Sequence, residues 1–438
     1  EADAVASMQQ ESISRVPPRD LSLYLHIPFC EALCKFCACN RVILRKSAPG
    51  AEHRVDAYLA AMIRELRQLA VSVGTRRCVR QIHWGGGTPT YLSPDQVERL
   101  HRAVEEAFFL SRDAEIAMEI DPRVTTPEML QTLRRLGFNR LSMGVQDFDQ
   151  PVQEHVRRVQ PFELMREFVH ACRGLQFESL NFDLIYGMPY QTADTIRDTV
   201  ERTISLSPDR VAFYHYAQIP EKIATQRGMD YTKLPDSETK LEMFLTGLRL
   251  FESAGYEFIG LDHFAKPDEA LALARRNWTL QRNFQGMTTG GGLDLLGLGA
   301  SSISHLVDVG FLQNIKEPDE YVAYLESSRS PVERGKRLTF DDGVRQSVIH
   351  HLYCNGEIQP ELVEQQFGIV FAEYFARELE VLAELEGDGL VVKEPYGVVK
   401  VIMPLGRVLL RNVAAVFDAY LNPDAYRRGE LASFSMNA

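Results

Sequence analysis

The chain has 438 residues, of which 45% are hydrophobic and 25% charged, a composition typical of a globular protein large enough for more than one domain. Its 48 Lys and Arg stand against 60 Asp and Glu, and the net charge of −12 argues against nucleic-acid or anionic-membrane partners. No apolar run approaches the ~20 residues of a membrane-spanning helix, and the N-terminus shows no signal-peptide pattern.

The first two hundred residues are organised as alternating strands and helices. Residues 1–20 are polar and predict a short helix from Ala4 to Ile13 or a tail, ending at Pro17-Pro18. From Leu21, short β-rich runs alternate with longer segments whose apolar residues recur every three or four positions. The predicted strands are 21–27, 80–84, 115–120, 139–145, 180–186 and 210–216. Because each connection is long enough for a helical crossover, we expect these strands to be parallel.

This pattern predicts an α/β protein with a partial (β/α)6, TIM-like barrel over residues 21–306. A doubly wound open sheet is the alternative. In a barrel the chemistry lies at the C-terminal ends of the strands. Helices near 238–254 and 268–277, a strand-like run at 256–260 and a Gly-rich segment follow. Residues 307–335 are expected to be a linker, and 336–438 an α-rich C-terminal domain with two short β runs.

A cluster of cysteines follows the first predicted strand. Cys30, Cys34 and Cys37 are spaced i, i+4, i+7, with Cys39 two positions later, and the chain's other three cysteines are isolated. Seven cysteines, an odd number with four of them clustered, suit a reducing compartment better than a disulfide framework, so we expect a cytoplasmic protein. Structural zinc usually takes four ligands in two pairs, whereas three thiolates on a four-iron cluster leave one iron open. The spacing favours the cluster, with zinc and free structural thiols as alternatives.

These cysteines and several later motifs carry a family resemblance. The CxxxCxxC spacing after a barrel strand resembles the signature of radical S-adenosylmethionine (SAM) enzymes, and Cys37-Ala38-Cys39 marks one branch of them. Along nearly the whole chain, six motifs in order are similar to the oxygen-independent coproporphyrinogen III oxidase (coproporphyrinogen dehydrogenase) family. They are YLHIPFCEALCKFCACN, HWGGGTPTY, EIDPR, RLSMGVQDF, NFDLIYGMP and GRVLLRN…FDAYL.

The resemblance implies a radical SAM barrel with a 4Fe–4S cluster held by Cys30, Cys34 and Cys37. The amine and carboxylate of SAM would occupy the open iron, and reduction would yield a 5′-deoxyadenosyl radical. Cys39 would not be a cluster ligand. It is either a catalytic participant or a small packed thiol.

The residues beside the cysteines have candidate roles. Tyr24 and His26 lie two apart on one strand and therefore project to the same face. They are candidate catalytic residues, with a packed aromatic and a core histidine as the structural alternative. Phe36 is expected to shield the cluster. The run Gly85–Thr88 predicts a turn that lets the backbone approach a ligand and exposes backbone polar groups to the amino-acid end of SAM.

Two molecules of SAM are expected by resemblance. The residues that match contacts to the first are Tyr24, Phe36, Gly86, Glu119 and Ile303. Those that match contacts to the second are Gly87, Thr88, Gln146, Arg158, Asp183 and Ala217. Unpaired buried carboxylates are costly, so Glu119 and Asp183 need a ligand or a basic neighbour, and Arg158 is the nearest candidate.

The implied reaction is the anaerobic oxidative decarboxylation of two propionates of coproporphyrinogen III to vinyl groups, giving protoporphyrinogen IX in heme biosynthesis. A porphyrinogen with four carboxylates needs basic residues, and Arg41, Arg45, Lys46 and Arg227 are candidates. The resemblance also implies an electron donor such as flavodoxin or ferredoxin. We expect a monomer.

Three departures from the family pattern leave alternatives open. A Tyr-Thr-Ser-Tyr-Pro segment that the family has upstream is not in this sequence, Met287 stands where the family usually has tyrosine, and Gly290–Gly292 replaces more polar residues. One alternative is a radical SAM methyltransferase or cyclopropanase of the same sequence group, acting on a different substrate. Another is a heme-binding protein that keeps the cluster but has lost turnover.

Overall fold

The computed structural model describes residues 2–14, 18–74 and 77–421. The chain divides into two compact units: unit 1 comprises residues 1–250 and 292–337, and unit 2 comprises 251–291 and 338–438. The predicted N-terminal helix is present as Ala2–Ile13. The predicted N-terminal segment and C-terminal domain include residues 1, 15–17 and 422–438, which lie outside the described residues.

Unit 1 contains ten neighbouring strands of a single sheet. We label its strands β1 (Leu21–Ile27), β2 (Cys78–Gly86), β3 (Phe109–Ile120), β4 (Arg140–Gln146), β5 (Ser179–Tyr186), β6 (Arg210–His215), β7 (Asp294–Leu298), β8 (Ile303–Leu306), β9 (Gly310–Asn314) and β10 (Val332–Arg337). Their order is β10-β9-β8-β7-β1-β2-β3-β4-β5-β6. Pairing is parallel from β7 through β1 to β6 and antiparallel from β7 to β10.

The six predicted strands are confirmed as β1 to β6. They follow one another in the sheet without a reversal of order, whereas a doubly wound sheet reverses at a switch point. This order supports the barrel-type winding and excludes the alternative. All seven residues of β1 are buried, as expected for a central parallel strand covered on both faces. The alpha/beta prediction is therefore confirmed.

The helices of unit 1 cover this sheet. They are Ala2–Ile13, Ala51–Val73, Pro94–Ala107, Pro127–Arg135, Gln150–His155, Phe162–Gly174, Ala193–Leu206, Ser237–Ser253, which runs past the unit boundary, and Pro318–Glu326. Short 3₁₀ turns lie at Pro89–Tyr91, Ala224–Gly228 and Tyr231–Lys233. Within the described residues, no helix combines the length and apolar character needed to cross a bilayer.

Local sequence explains where these helices begin and which side they bury. Ser93 caps the third helix: its side chain accepts from the Gln96 amide while the Gln96 side chain accepts from the Ser93 amide. Val97, Leu100 and Val104 then recur at helical spacing and are buried. The connections between parallel strands are thus encoded locally.

Unit 2 is smaller and mixes short strands with helices. Its strands are Glu257–Gly260, His263–Ala265, Gln281–Asn283, Gly286–Thr288, Glu357–Ile358, Val391–Lys393 and Val399–Val401. Its helices are Ala270–Arg276, Phe340–Asn355, Pro360–Phe367, Phe371–Tyr374, Ala376–Gly387, Leu405–Val408 and Leu410–Ala415, with a 3₁₀ turn at Pro395–Gly397. The two β runs foreseen in the C-terminal part pair with each other, and Val399–Val401 also pairs with Glu357–Ile358, which completes a three-stranded antiparallel sheet.

The unit boundaries differ from the expected domains in two places. Residues 307–335, expected as a linker, form β9, the helix Pro318–Glu326 and most of β10 in unit 1. Tyr321 and Leu325 are fully buried there. β10 is largely exposed, and its sequence has no apolar alternation that would predict a strand. Residues 251–291 belong to unit 2 because Ile259 and Leu271 pack in its hydrophobic core.

Candidate functional site

A cavity of about 440 Å³ opens at the carboxyl ends of β1 to β5. It gathers residues from five strand–helix connections that are far apart in sequence. The predicted site residues on its wall are Cys30, Cys34, Phe36, Cys37, Cys39, Gly86, Gly87, Thr88, Glu119, Gln146, Arg158 and Asp183. The barrel topology thus brings most of the predicted set to one place.

Two predicted residues lie on β1 instead of the cavity wall. Tyr24 and His26 are buried, and the Tyr24 hydroxyl is 3.0 Å from His26 Nδ1, which confirms that they share a face. His26 Nε2 lies 3.0 Å from the carbonyl oxygen of Asn40. Burial lowers the pKa of His26, and burial together with the charge of Glu119 raises the pKa of Tyr24. Both side chains are therefore held in their neutral forms.

Ala217 and Ile303 also lie away from the wall. The Ala217 carbonyl accepts a hydrogen bond of 2.9 Å from Gln226 Nε2, which donates as well to the carbonyl of Phe36 at 3.1 Å. Gln226 therefore links Ala217 to the cysteine loop by hydrogen bonds. Ile303 pairs with Gln313 in the antiparallel part of the sheet.

The cysteine loop is held in place at Cys30, the first of the candidate cluster ligands. The short strand Phe29–Cys30 pairs with Val42–Ile43, and Cys30 Sγ lies 3.4 Å from Thr88 Oγ1. Burial raises the pKa of Cys30 to about 11. A hydrogen bond shared between Cys37 and Cys39 lowers the pKa of Cys37 to about 6 and raises that of Cys39.

The three cysteines fit an iron–sulfur cluster by the chemistry of their donors. Within the described part of the chain, no three His, Cys, Asp or Glu side chains are close enough together to hold a single metal ion. Cys30, Cys34 and Cys37 nevertheless line one cavity, and thiolate sulfur is the donor that such clusters require. Outside this loop the cysteines of the described residues, Cys78, Cys172 and Cys354, are isolated in sequence, so they do not form the second pair of a typical structural zinc site.

The glycine-rich turn after β2 serves close backbone packing. A Cβ on Gly87 would lie 2.5 Å from the carbonyl oxygen of Pro28, so only glycine fits here. The amides of Gly87 and Thr88 donate to the carbonyls of Ile27 and Phe29 at 2.7 and 2.9 Å. The expectation that this turn exposes its amides to a ligand is therefore wrong for these two groups, because they anchor the start of the cysteine loop.

The two predicted acidic residues find partners that were not foreseen. Glu119 lies 3.1 Å from His83 Nε2 and accepts from the Gly86 amide at 3.2 Å. Asp183 accepts from Asn181 Nδ2 at 2.9 Å and from Ser142 Oγ at 3.2 Å. Burial, followed by the charge of Glu119, raises the pKa of Asp183 to about 6.

Arg158 does not supply the counter-charge expected for these acids. It forms an ion pair of 3.2 Å with Asp121 and donates to the carbonyl of Gly144 at 2.7 Å. Asp121 also pairs with Arg123 at 2.6 Å. Burial alone would raise the pKa of Asp121, but the two guanidinium groups outweigh it and hold this pKa below its usual range. Both arginines reach Cys34 Sγ at 3.8 Å.

Sequence reasoning missed Asp121 and Arg123 as wall residues, although both lie in the EIDPR motif that carried the resemblance. It also missed the strain at Gln146, whose φ is 69°. The next residue, Asp147, is buried and accepts from Thr199 Oγ1 at 2.7 Å and from Gln191 Nε2 at 2.5 Å. These bonds hold the chain in the unusual conformation, and no local sequence signal indicates them.

Of the four basic residues considered for substrate carboxylates, Arg41 and Lys46 line the cavity. Arg41 donates to the Cys39 carbonyl at 2.8 Å and to Thr225 Oγ1 at 3.0 Å. Lys46 Nζ lies 5.2 Å from the centre of the Tyr91 ring. Arg45 and Arg227 are not part of the cavity lining.

Comparison with known proteins gives matches over most of the chain. The family model of the radical SAM superfamily matches residues 24–203. The chain is 44% identical over 415 residues to an oxygen-independent coproporphyrinogen III oxidase of Salmonella typhimurium, covering 95% of this chain and 89% of that protein. It is 42% identical to the protein of the same name from Synechocystis, covering 92% of this chain and 85% of that one.

A solved structure of coproporphyrinogen III oxidase from Escherichia coli, described as a radical SAM enzyme, superposes with a TM-score of 0.89. It is 43% identical in sequence, and the match covers 94% of this chain and 93% of that one. Fold and sequence similarity therefore extend over more than nine-tenths of the chain, and the chain belongs to the oxygen-independent coproporphyrinogen III oxidase family of radical SAM enzymes.

Proposed function

We propose that this chain catalyses the oxygen-independent oxidative decarboxylation of two propionate side chains of coproporphyrinogen III to vinyl groups, giving protoporphyrinogen IX and carbon dioxide. The observation that carries the proposal is the similarity to coproporphyrinogen III oxidases, which extends over more than nine-tenths of the chain. The cavity adds support, since it joins the three cysteines to residues from the next four strands.

As a radical SAM enzyme the chain uses an iron–sulfur cluster and SAM, which when bound supply one-electron radical chemistry. We assign the cluster to Cys30, Cys34 and Cys37, which line the cavity. The backbone bonds from Gly87 and Thr88 hold the segment before Cys30 in place. Guanidinium groups of Arg123 and Arg158 lie 3.8 Å from Cys34 Sγ.

The finer parts of the proposal concern stoichiometry and partners. We propose two SAM molecules, with Glu119 and Asp183 placing negative charge near the cationic ends of these ligands. Arg41 and Lys46 are the cavity residues best suited to the substrate carboxylates, because each brings a cation to the wall. We also propose that the protein is cytoplasmic and monomeric, and that flavodoxin or ferredoxin is its electron donor.

The decisive experiment is anaerobic incubation of the reconstituted protein with coproporphyrinogen III, SAM and a reductant, followed by mass analysis of the porphyrins. We expect loss of two carboxyl groups and formation of 5′-deoxyadenosine. Cys34→Ala should abolish both products. The matched control is Cys78→Ala, since Cys78 is a free cysteine at the start of β2 and outside the cavity lining. Unchanged porphyrin with the wild-type protein would contradict the proposal.

The same assay distinguishes the methyltransferase or cyclopropanase alternative, which predicts a methylated or cyclopropanated product without carbon dioxide. Met287 was one of the sequence departures that left this alternative open. In the structure Met287 is buried and belongs to the hydrophobic core of unit 2. It is not part of the cavity lining, so this departure lends no support to the alternative.

A further inference from the structure

We propose that Arg123 is an N–H···S donor to Cys34 in the cluster-loaded enzyme and that it raises the reduction potential of the cluster. Asp121 is the positioning residue that aims it. This inference rests on the proposed function only in assuming that Cys34 is a cluster ligand. It assigns a role to two residues of the EIDPR motif, Asp121 and Arg123, that are not among the predicted contacts to SAM.

The geometry singles out Arg123. Its Nη2 lies 3.8 Å from Cys34 Sγ, within hydrogen-bonding reach of a sulfur acceptor, and 2.6 Å from Asp121 Oδ2. The Arg123 Nε and backbone amide also donate to Asp121 Oδ1, at 2.9 and 3.1 Å. Asp121 thus binds the guanidinium through Nε and Nη2, and Nη2 has a second N–H group that can donate to the sulfur.

The orientation is rigid because it is built from three consecutive residues. Pro122 separates Asp121 from Arg123, and its ring fixes φ at the centre of the turn. The side chain of Asp121 is 9% exposed and that of Arg123 is 21% exposed, so solvent screens their charges only in part. A surface arginine without a partner would sample many rotamers, whereas Arg123 is held in one orientation by its hydrogen bonds to the Asp121 carboxylate.

The sign of the effect follows from electrostatics. Reduction adds one electron to the cluster, and a positive group or a hydrogen bond at a ligand sulfur stabilises the more negative state. Arg158 also reaches Cys34 Sγ at 3.8 Å, but it donates to the Gly144 carbonyl and is a candidate SAM contact. Among the described residues, the Arg123 side chain has only Asp121 and Cys34 as partners. A substitution of Arg123 therefore removes fewer other contacts than a substitution of Arg158.

The test is an anaerobic redox titration of the reconstituted, full-length protein, followed by electron paramagnetic resonance of the reduced cluster without substrate. Arg123→Met is compared with Arg134→Met, whose arginine is also partly buried but donates to the Leu175 carbonyl, away from any sulfur. Arg123→Lys keeps the charge and loses the planar fork. Iron and sulfide are measured for each protein, which separates a shifted potential from a lost cluster.

At the wild-type midpoint we expect Arg123→Met to lower the ratio of reduced to oxidised cluster about tenfold, which is about 59 mV for one electron. Arg123→Lys should recover part of this change, and Arg134→Met should titrate like the wild type. Equal potentials for Arg123→Met and the wild type would overturn the inference, as would an equal shift in Arg134→Met.

Failure of the proposed reaction has a different signature. A wild-type protein that loads iron and sulfide but leaves coproporphyrinogen III unchanged would overturn the substrate assignment, while the titration would still decide the role of Arg123. A wild-type protein that takes up no iron would overturn both.

Discussion

Asp183 is expected to make the binding of SAM depend on pH near 6. Its carboxylate lies on the cavity wall, where burial and the charge of Glu119 raise its pKa to about 6. SAM carries a sulfonium and an ammonium group, and a nearby carboxylate attracts them only when ionised. Asp183 is about nine-tenths ionised at pH 7 and about one-tenth ionised at pH 5, so we expect about a tenfold weaker affinity at pH 5.

The same pKa predicts an opposite trend for the stability of the free protein. Because the folded state holds this proton more tightly than the unfolded state, the stability contributed by Asp183 is fully present below pH ~4 and is lost as the pH rises through about 6. Ligand binding therefore improves over the same range in which the free fold weakens. Asp183→Asn should remove both dependences.

The assay is anaerobic calorimetry of SAM binding to the reconstituted protein between pH 5 and 7.5. Asp147→Asn is the matched control, because burial also raises the pKa of Asp147 to about 6 but this side chain is outside the cavity lining. We expect the wild type and Asp147→Asn to show the slope and Asp183→Asn to show none. A flat wild-type profile, or a slope that persists in Asp183→Asn, would refute the reasoning.

Three further changes have expected outcomes. Cys34→Ala should lose most bound iron and the brown absorbance, whereas Cys39→Ala should keep them, as measured by iron content per chain; equal iron in both would contradict the ligand set. Gly87→Ala, whose Cβ would clash with the backbone, should weaken SAM binding at least about tenfold by calorimetry, while Gly174→Ala, with open space around it, should bind normally. Tyr321→Phe removes the hydroxyl that donates to buried Glu65, so we expect a loss of about 1–2 kcal/mol in the free energy of unfolding by denaturant titration, and an unchanged midpoint would count against it.

Part of the site could be predicted because it is encoded locally. The strands β1 to β6 follow from period and composition, and the cysteine spacing lies within one loop. His83 beside Glu119 and Ser142 beside Asp183 could not be predicted as partners, because they come from neighbouring strands whose register is a tertiary property. Arg158, expected beside these acids, pairs with Asp121 instead.

Sequence alone was enough to predict the family of this protein, because the cysteine spacing and the six motifs that carry the resemblance are properties of residue types and their order. The strand–helix alternation was enough to predict the barrel, because its period is local. The tertiary structure decided the electrostatic environment: which guanidinium faces Cys34, which carboxylates are raised or lowered in pKa, and that Gly87 and Thr88 anchor the loop with their amides. These depend on distances between residues that only the folded sheet brings together.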